Sequence, residues 1–392
     1  MRLSRAASIF GLLALGCSSG RERPSPSSLV STAPTATPDP PGGDGGISID
    51  APDVACGEFC GETFLREVKN PPNLYFVVDR SGSMGEPVSE RSRSKFQAAR
   101  GVIADVLMRI GHRVRYGGAV FPSHEAPQEC RPGSEFFEPT RGSPPNCEGG
   151  TDPKLADFSR RLGSFSTEGG TPVSLTLDAL RPKLEQLAGN TAVVLVTDGA
   201  PNCNLEAECD VDECGLNLEG ARIGELVCDD DTNCCDPEIG GFGVNGYCVD
   251  GDGSEEAVLA LADSGIATYV IGLPGAEPYG DVLSRLAVAG GRPQEGKVPY
   301  YATGDEQELR EALYAIGTGL AIRCEIDLES APADPALVNV YFDGELVPAD
   351  PDDGWSWDGE TRIEVNGDAC SKLRSGDVLD ARAVFGCDTV VR

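Results

Sequence analysis

The stretch Asn73-Leu74-Tyr75-Phe76-Val77-Val78-Asp79-Arg80-Ser81-Gly82-Ser83 changes character at a single residue. Leu74–Val78 is an unbroken apolar run, the mark of a strand buried on both faces rather than half-buried in an antiparallel sheet. The run ends in Asp79, and the turn that follows carries the hydroxyls of Ser81 and Ser83. One carboxylate and two hydroxyls therefore gather where a strand gives way to a loop. Hard divalent cations take oxygen ligands, and Mg²⁺ asks for near-octahedral geometry.

Outward from this point, strand and helix patterns alternate. Lys95–Ile110 bears an apolar stripe at helical spacing, and Val114–Phe121 reads as the next strand. Pro172–Leu187 is helical, and Ala192–Val196 is a second buried apolar run that leads to an aspartate, Asp198. Glu255–Ala262, Ile266–Leu273, Tyr279–Val288 and Asp305–Leu320 continue as helix, strand, helix, helix. The alternation predicts an α/β fold with a doubly wound, mostly parallel sheet. In such sheets ligands bind at the carboxyl ends of strands. Two more loops fall there: Gly169-Gly170-Thr171-Pro172 offers a hydroxyl and Val196-Thr197-Asp198-Gly199 a carboxylate.

Asp79, Ser81, Ser83, Thr171 and Asp198, in that order and in those contexts, resemble the metal-ion-dependent adhesion site (MIDAS) of the von Willebrand factor type A (vWA) family. That family pattern is Asp-x-Ser-x-Ser, then a distant Thr, then a distant Asp, and the resemblance covers about residues 73–320. It implies a Rossmann-like vWA domain binding Mg²⁺ or Mn²⁺, with one coordination position open to a carboxylate from a partner protein. Three neutral hydroxyl ligands would leave the cation electrophilic enough to take such an anion.

Two segments break the rhythm. Residues 203–252 hold seven cysteines and little hydrophobic periodicity, which predicts an inserted, disulfide-built module. After residue 323 the patterning turns to strands: Val338–Phe342, Asp343-Gly344 and Glu345–Val347 form a hairpin signal, and Thr361–Val365 and Val378–Phe385 continue it. The expected organisation is a lipoprotein-type signal peptide at 1–17, a flexible Ser/Pro/Thr/Gly linker at 18–55, a vWA domain at 56–323 carrying the insert, and a small all-β appendage at 324–392.

The chain has 392 residues and 15 cysteines, too many for a reducing cytosol unless they bind metal. Arg2 and Arg5 precede an apolar run at Ala6–Gly16 that is too short to span a bilayer and ends at Cys17. Cys17 is the expected lipidation site of an exported protein anchored in a bacterial envelope; an ordinary cleaved signal peptide is the alternative. Setting Cys17 aside leaves 14 disulfide candidates: Cys56, Cys60, Cys130, Cys147, Cys203, Cys209, Cys214, Cys228, Cys234, Cys235, Cys248, Cys324, Cys370 and Cys387. Seven lie in the insert and three in the tail, both odd numbers, so a bridge must leave each group. Cys130–Cys147, Cys370–Cys387 and a bridge from Cys56 or Cys60 to Cys324 are the expected pairs outside the insert. Zinc on the insert thiols is the competing reading.

The formal net charge of −31 argues against nucleic acid and against adsorption to anionic lipid, leaving the N-terminal anchor as the membrane contact. The insert alone carries −13 and residues 321–392 carry −10. Asp210, Asp212, Asp229, Asp230, Asp231, Asp250 and Asp252 could hold Ca²⁺, or could simply form a solvated acidic face. With only His112 and His124, no Gly-x-Ser-x-Gly, no phosphate loop and no second His to complete a zinc-protease motif with His124-Glu125, an enzyme is not expected. The expected function is a divalent-cation-dependent, adhesion-type protein-binding module whose partner offers a carboxylate within a basic surround. The alternative is a structural envelope scaffold in which metal and disulfides hold the fold and the appendages make the contacts.

Overall fold

The structure, a computed structural model, describes residues 62–64, 71–89, 92–125, 130–143, 152–241, 243–321, 323–328, 330–375, 378 and 381–391. The expected signal peptide, Cys17, the linker, Cys56, Cys60 and Cys147 lie outside these residues. Among the described residues no helix is long and apolar enough to cross a membrane.

Six strands form the central sheet: Asn73–Asp79, Arg115–Phe121, Ser134–Arg141, Thr191–Thr197, Ala267–Gly272 and Tyr301–Ala302. Numbered in chain order, their order across the sheet is 3-2-1-4-5-6. All neighbours are parallel except the edge pair, where Ser134–Arg141 runs antiparallel to Arg115–Phe121. Every residue of Asn73–Asp79 and of Thr191–Thr197 is buried. Alternate residues feed opposite faces, as the two-residue period of a strand requires. Leu74, Phe76 and Val78 pack with the helices Lys95–Ile110, Pro153–Gly163 and Glu306–Ala321. Tyr75 and Val77 pack with Val173–Leu184, Gly251–Asp263 and Gly280–Ala289. The expected doubly wound α/β sheet is therefore present, covered on both sides. The edge strand and the helix Pro153–Gly163 were not expected.

The tail folds as two small antiparallel sheets around Trp355, whose indole N–H donates to the Val347 carbonyl at 3.1 Å. One sheet runs Glu62–Phe64, Ala381–Phe385, Val338–Phe342, Glu345–Val347; the other runs Glu325–Asp327, Arg362–Val365, Trp355–Trp357. Glu62–Phe64, which precedes the central sheet in sequence, thus pairs with the tail, so the α/β core is flanked on both chain sides by strands of one β unit. That unit also carries a helix, Gly367–Ser375, which packs against Glu306–Ala321.

Among the described residues five bridges have both partners: Cys130–Cys203, Cys209–Cys248, Cys214–Cys235, Cys228–Cys234 and Cys324–Cys370. They correct the expected pairs. Cys130 reaches the first cysteine of the insert and not Cys147, because it lies just before the edge strand, whose Ser134 pairs with Val120 near the carboxyl end of Arg115–Phe121. Cys324 pairs with Cys370 rather than with Cys56 or Cys60, because the strand it precedes lies beside the one that leads into the helix bearing Cys370. Cys387, also disulfide-bonded, therefore does not pair with Cys370.

Candidate metal centre

The three loops meet at the carboxyl ends of the central strands. Gly82 N–H donates to the Gly169 carbonyl at 3.1 Å, joining the first loop to the second. Asn202 N–H donates to the Thr171 carbonyl at 2.9 Å, and the Thr171 N–H returns a bond to Asn202 Oδ1 at 2.7 Å, joining the second to the third. Gly170 lies so close that a Cβ there would stand 2.8 Å from Cys203 Sγ and 2.9 Å from Asn202 Oδ1, so only glycine lets these loops close. Thr171 itself is buried against this clamp.

Within the junction the side chains form one network. Asp79, 0% exposed, accepts from the Ser81 N–H at 2.7 Å and from the Thr197 hydroxyl at 2.6 Å, one bond to each carboxylate oxygen. Ser81 and Ser83 hydroxyls lie 3.1 Å apart, and Ser83 donates to Asp198 Oδ1 at 2.8 Å. Asp198, 2% exposed, takes a second bond from Lys95 Nζ to Oδ2 at 2.9 Å. Lys95 also meets Glu86 at 3.2 Å. Asp79, Ser81, Ser83 and Asp198 are thus drawn into one hydrogen-bonded cluster, with Thr171 on the loop clamped beside it.

Electrostatics follow from the burial. Desolvation, then the nearby charge of Asp198, pushes the Asp79 carboxyl up to about 7. Burial also raises Asp198, although Lys95 and Ser83 oppose it. Lys95 is desolvated too, yet its bond to Asp198 holds it protonated above the ordinary lysine range. Among the described residues no cationic side chain lies within ion-pair distance of Asp79. A buried carboxylate without a counter-ion, an all-oxygen donor set and flanking hydroxyls fit a hard divalent cation.

Several residues here gave no sequence signal. Thr197 orients Asp79, and Asn202 clamps Thr171. Arg80, 1% exposed, donates to the Ser166, Pro122 and Ser123 carbonyls and pairs with Glu168 at 3.2 Å, tying the first loop to its neighbours. Lys95 arrives from a helix whose apolar stripe alone was legible. Thr197 and Arg80 sit inside the quoted motifs, but only the fold shows what they touch.

The insert leaves these loops directly. Cys203 N–H donates to the Gly246 carbonyl at 2.7 Å, and the Cys130 bridge ties the same residue to the edge-strand loop. The insert's thiols are spent in disulfides: the sulfurs of Cys209, Cys235 and Cys248 lie within 4.8 Å of one another but belong to two bridges, so they are not zinc thiolates. Among the described residues no three carboxylates of the insert converge. Asp250 is buried and occupied by Ser174 and Asn204, and Asp252 is exposed beside Arg285.

No protein-family model matches the sequence, and no curated protein matches it. Solved structures resemble it at low identity. The PilB minor pilin from Streptococcus sanguinis is 17% identical with a TM-score of 0.39, over 64% of this chain and 61% of that one. The pilus adhesin SpaC from Lactobacillus rhamnosus GG is 14% identical with a TM-score of 0.43, over 81% of this chain and 39% of that one. The vWF domain of the type V pili tip protein Mfa5 from Porphyromonas gingivalis is 14% identical with a TM-score of 0.43, over 66% and 98%. The chain therefore spans less than two thirds of the pilin and of SpaC. Strand order and loop placement make the fold a vWA-like, doubly wound α/β domain.

Proposed function

We propose that the chain is an exported module that binds a protein partner through a divalent cation, Mg²⁺ or Mn²⁺, held by Asp79, Ser81, Ser83, Thr171 and Asp198. The observation that carries this reading is the pair of buried carboxylates joined through Ser81 and Ser83. The Ser81 N–H holds Asp79, the Ser81 hydroxyl meets Ser83, and Ser83 donates to Asp198, while Asp79 has no cationic partner within ion-pair distance among the described residues. A bound cation would supply that charge and an electrophilic position for an outside carboxylate. The protein's own groups fix the rest. Ser81 N–H and Thr197 hold both oxygens of Asp79, Ser83 and Lys95 hold both of Asp198, and Asn202 holds the Thr171 backbone.

Five disulfides support an oxidising compartment, and lipidation at Cys17 would tether the chain to a bacterial envelope. The acidic insert beside the loops repels free anions, so the partner's carboxylate should sit within a basic surround. The chemistry proposed is binding, not catalysis.

Mn²⁺ titration followed by electron paramagnetic resonance should show one site, lost in Asp79→Ala. Capture of a partner from envelope extract should then disappear with EDTA and with the same variant. Equal capture in every condition, with Mn²⁺ bound, sinks the adhesion reading and leaves the scaffold, which the pairing of Glu62–Phe64 with the tail favours.

A further inference from the structure

We propose that Lys95 is a resident counter-ion of this centre, a positioning residue that holds Asp198 and weakens the site's hold on divalent cations. The inference rests on the metal reading above. Lys95 is the first residue of the helix Lys95–Ile110, behind a Ser94 capping box. A cation there opposes the helix dipole, and at 5% exposure it also gives up water. Two unfavourable terms need a compensating partner, and Asp198 Oδ2, 2.9 Å away, is that partner. The seat is built closely: a Cβ at Gly275, whose φ is +106°, would stand 3.0 Å from the ammonium nitrogen. Glu86, the second partner, has a side chain 68% exposed and is screened by solvent, so it neutralises the ammonium poorly.

The consequence is electrostatic. Asp79 and Asp198 together bring two negative charges, enough to balance a divalent cation, but Lys95 already balances one of them. With one Asp198 oxygen on Lys95 and the other on Ser83, that carboxylate is held by the protein on both sides. An incoming cation meets a buried positive charge and must share or displace it. Occupancy would then follow the ambient cation concentration instead of being permanent.

The test is Mn²⁺ affinity of the full chain, by the same resonance titration at fixed pH and ionic strength. Lys95→Gln, which keeps a hydrogen-bond donor, and Lys95→Met, which keeps length alone, should each bind Mn²⁺ roughly tenfold more tightly. Lys95→Arg, which keeps the charge, should stay within about threefold. Loss of a merely structural residue would weaken binding, so tightening is diagnostic. Unchanged or weaker affinity in a folded Lys95→Gln or Lys95→Met protein overturns the proposal, and the glutamine variant decides if the methionine variant fails to fold. Absence of Mn²⁺ binding in the wild type and in every variant overturns the metal reading itself and this inference with it. Binding in the Lys95→Gln and Lys95→Met variants alone would support the counter-ion role of Lys95 and overturn the reading that the native chain holds its cation.

Discussion

Compare the strand Asn73–Asp79 with the insert that follows Asp198. All seven residues of the strand are buried, and its side chains enter two apolar clusters that cover both faces of the sheet. The insert's buried cluster consists of Cys214, Cys228, Cys234, Cys235 and Cys248, while Leu205, Ile239 and Tyr247 stand about half exposed. One region is ordered by area removed from water, the other by covalent cross-links that restrict its unfolded chain. The proposed metal centre lies on the seam. Asp79 hangs from the apolar strand, and Thr171 is clamped by Asn202, one residue before the first cross-linked cysteine.

The largest expected effect breaks the first region. Phe76 is fully buried and meets Phe158 edge-on at 6.3 Å between ring centroids. Phe76→Ala should cost about 3–5 kcal/mol in urea unfolding, because the site sits mid-sheet and cannot collapse around the cavity. The insert's bridges should survive this change. A loss under about 1 kcal/mol would mean that the sheet is not the stabilising unit.

A somewhat smaller effect breaks the second region. The Cys214–Cys235 bridge closes a segment of 21 residues. Replacing both cysteines by serine should remove about 3 kcal/mol, and the loss should be local. Limited proteolysis should cut within 203–252, while the melting transition of the α/β core moves little. A core transition that falls in step with insert cleavage would show that the two regions fold as one.

The contrast also explains what was legible in the sequence. The helix Lys95–Ile110 and the hairpin Val338–Phe342 with Glu345–Val347 have the boundaries their patterns predict, because burial periodicity and Asp-Gly turn chemistry are local signals. The edge strand Ser134–Arg141 escaped notice: Glu135, Glu138, Pro139 and Arg141 erase the apolar run, and the strand is only half-buried. The helix Pro153–Gly163 was also missed, although Asp152 caps it and proline stands at its first position, a signal that can be read. Cysteine parity required a bridge to leave the insert but could not say that Cys130 receives it. Motif spacing named Asp79, Ser81, Ser83, Thr171 and Asp198, whereas Lys95 and Asn202 act through contacts that only the folded chain creates.

The smallest expected effect falls on the seam and tests whether the two regions communicate. Asn202→Ala removes the acceptor of the Thr171 N–H, at 2.7 Å, and leaves the Asn202 N–H bond to the Thr171 carbonyl and the Cys130–Cys203 bridge in place. One partly buried amide without a partner costs about 1–2 kcal/mol, less than either change above. Its consequence for the metal centre depends on what positions Thr171. If the cross-linked insert holds that loop, losing the clamp frees the Thr171 hydroxyl and Mn²⁺ affinity should drop several-fold in the resonance titration. If the sheet alone holds it, through Gly82 and Gly169, stability falls and affinity does not. The first outcome is expected, because the loop's closest neighbours at Gly170 are Cys203 and Asn202, both on the insert side of Asp198. An unchanged affinity would reduce the insert to a neighbour of the centre rather than one of its walls.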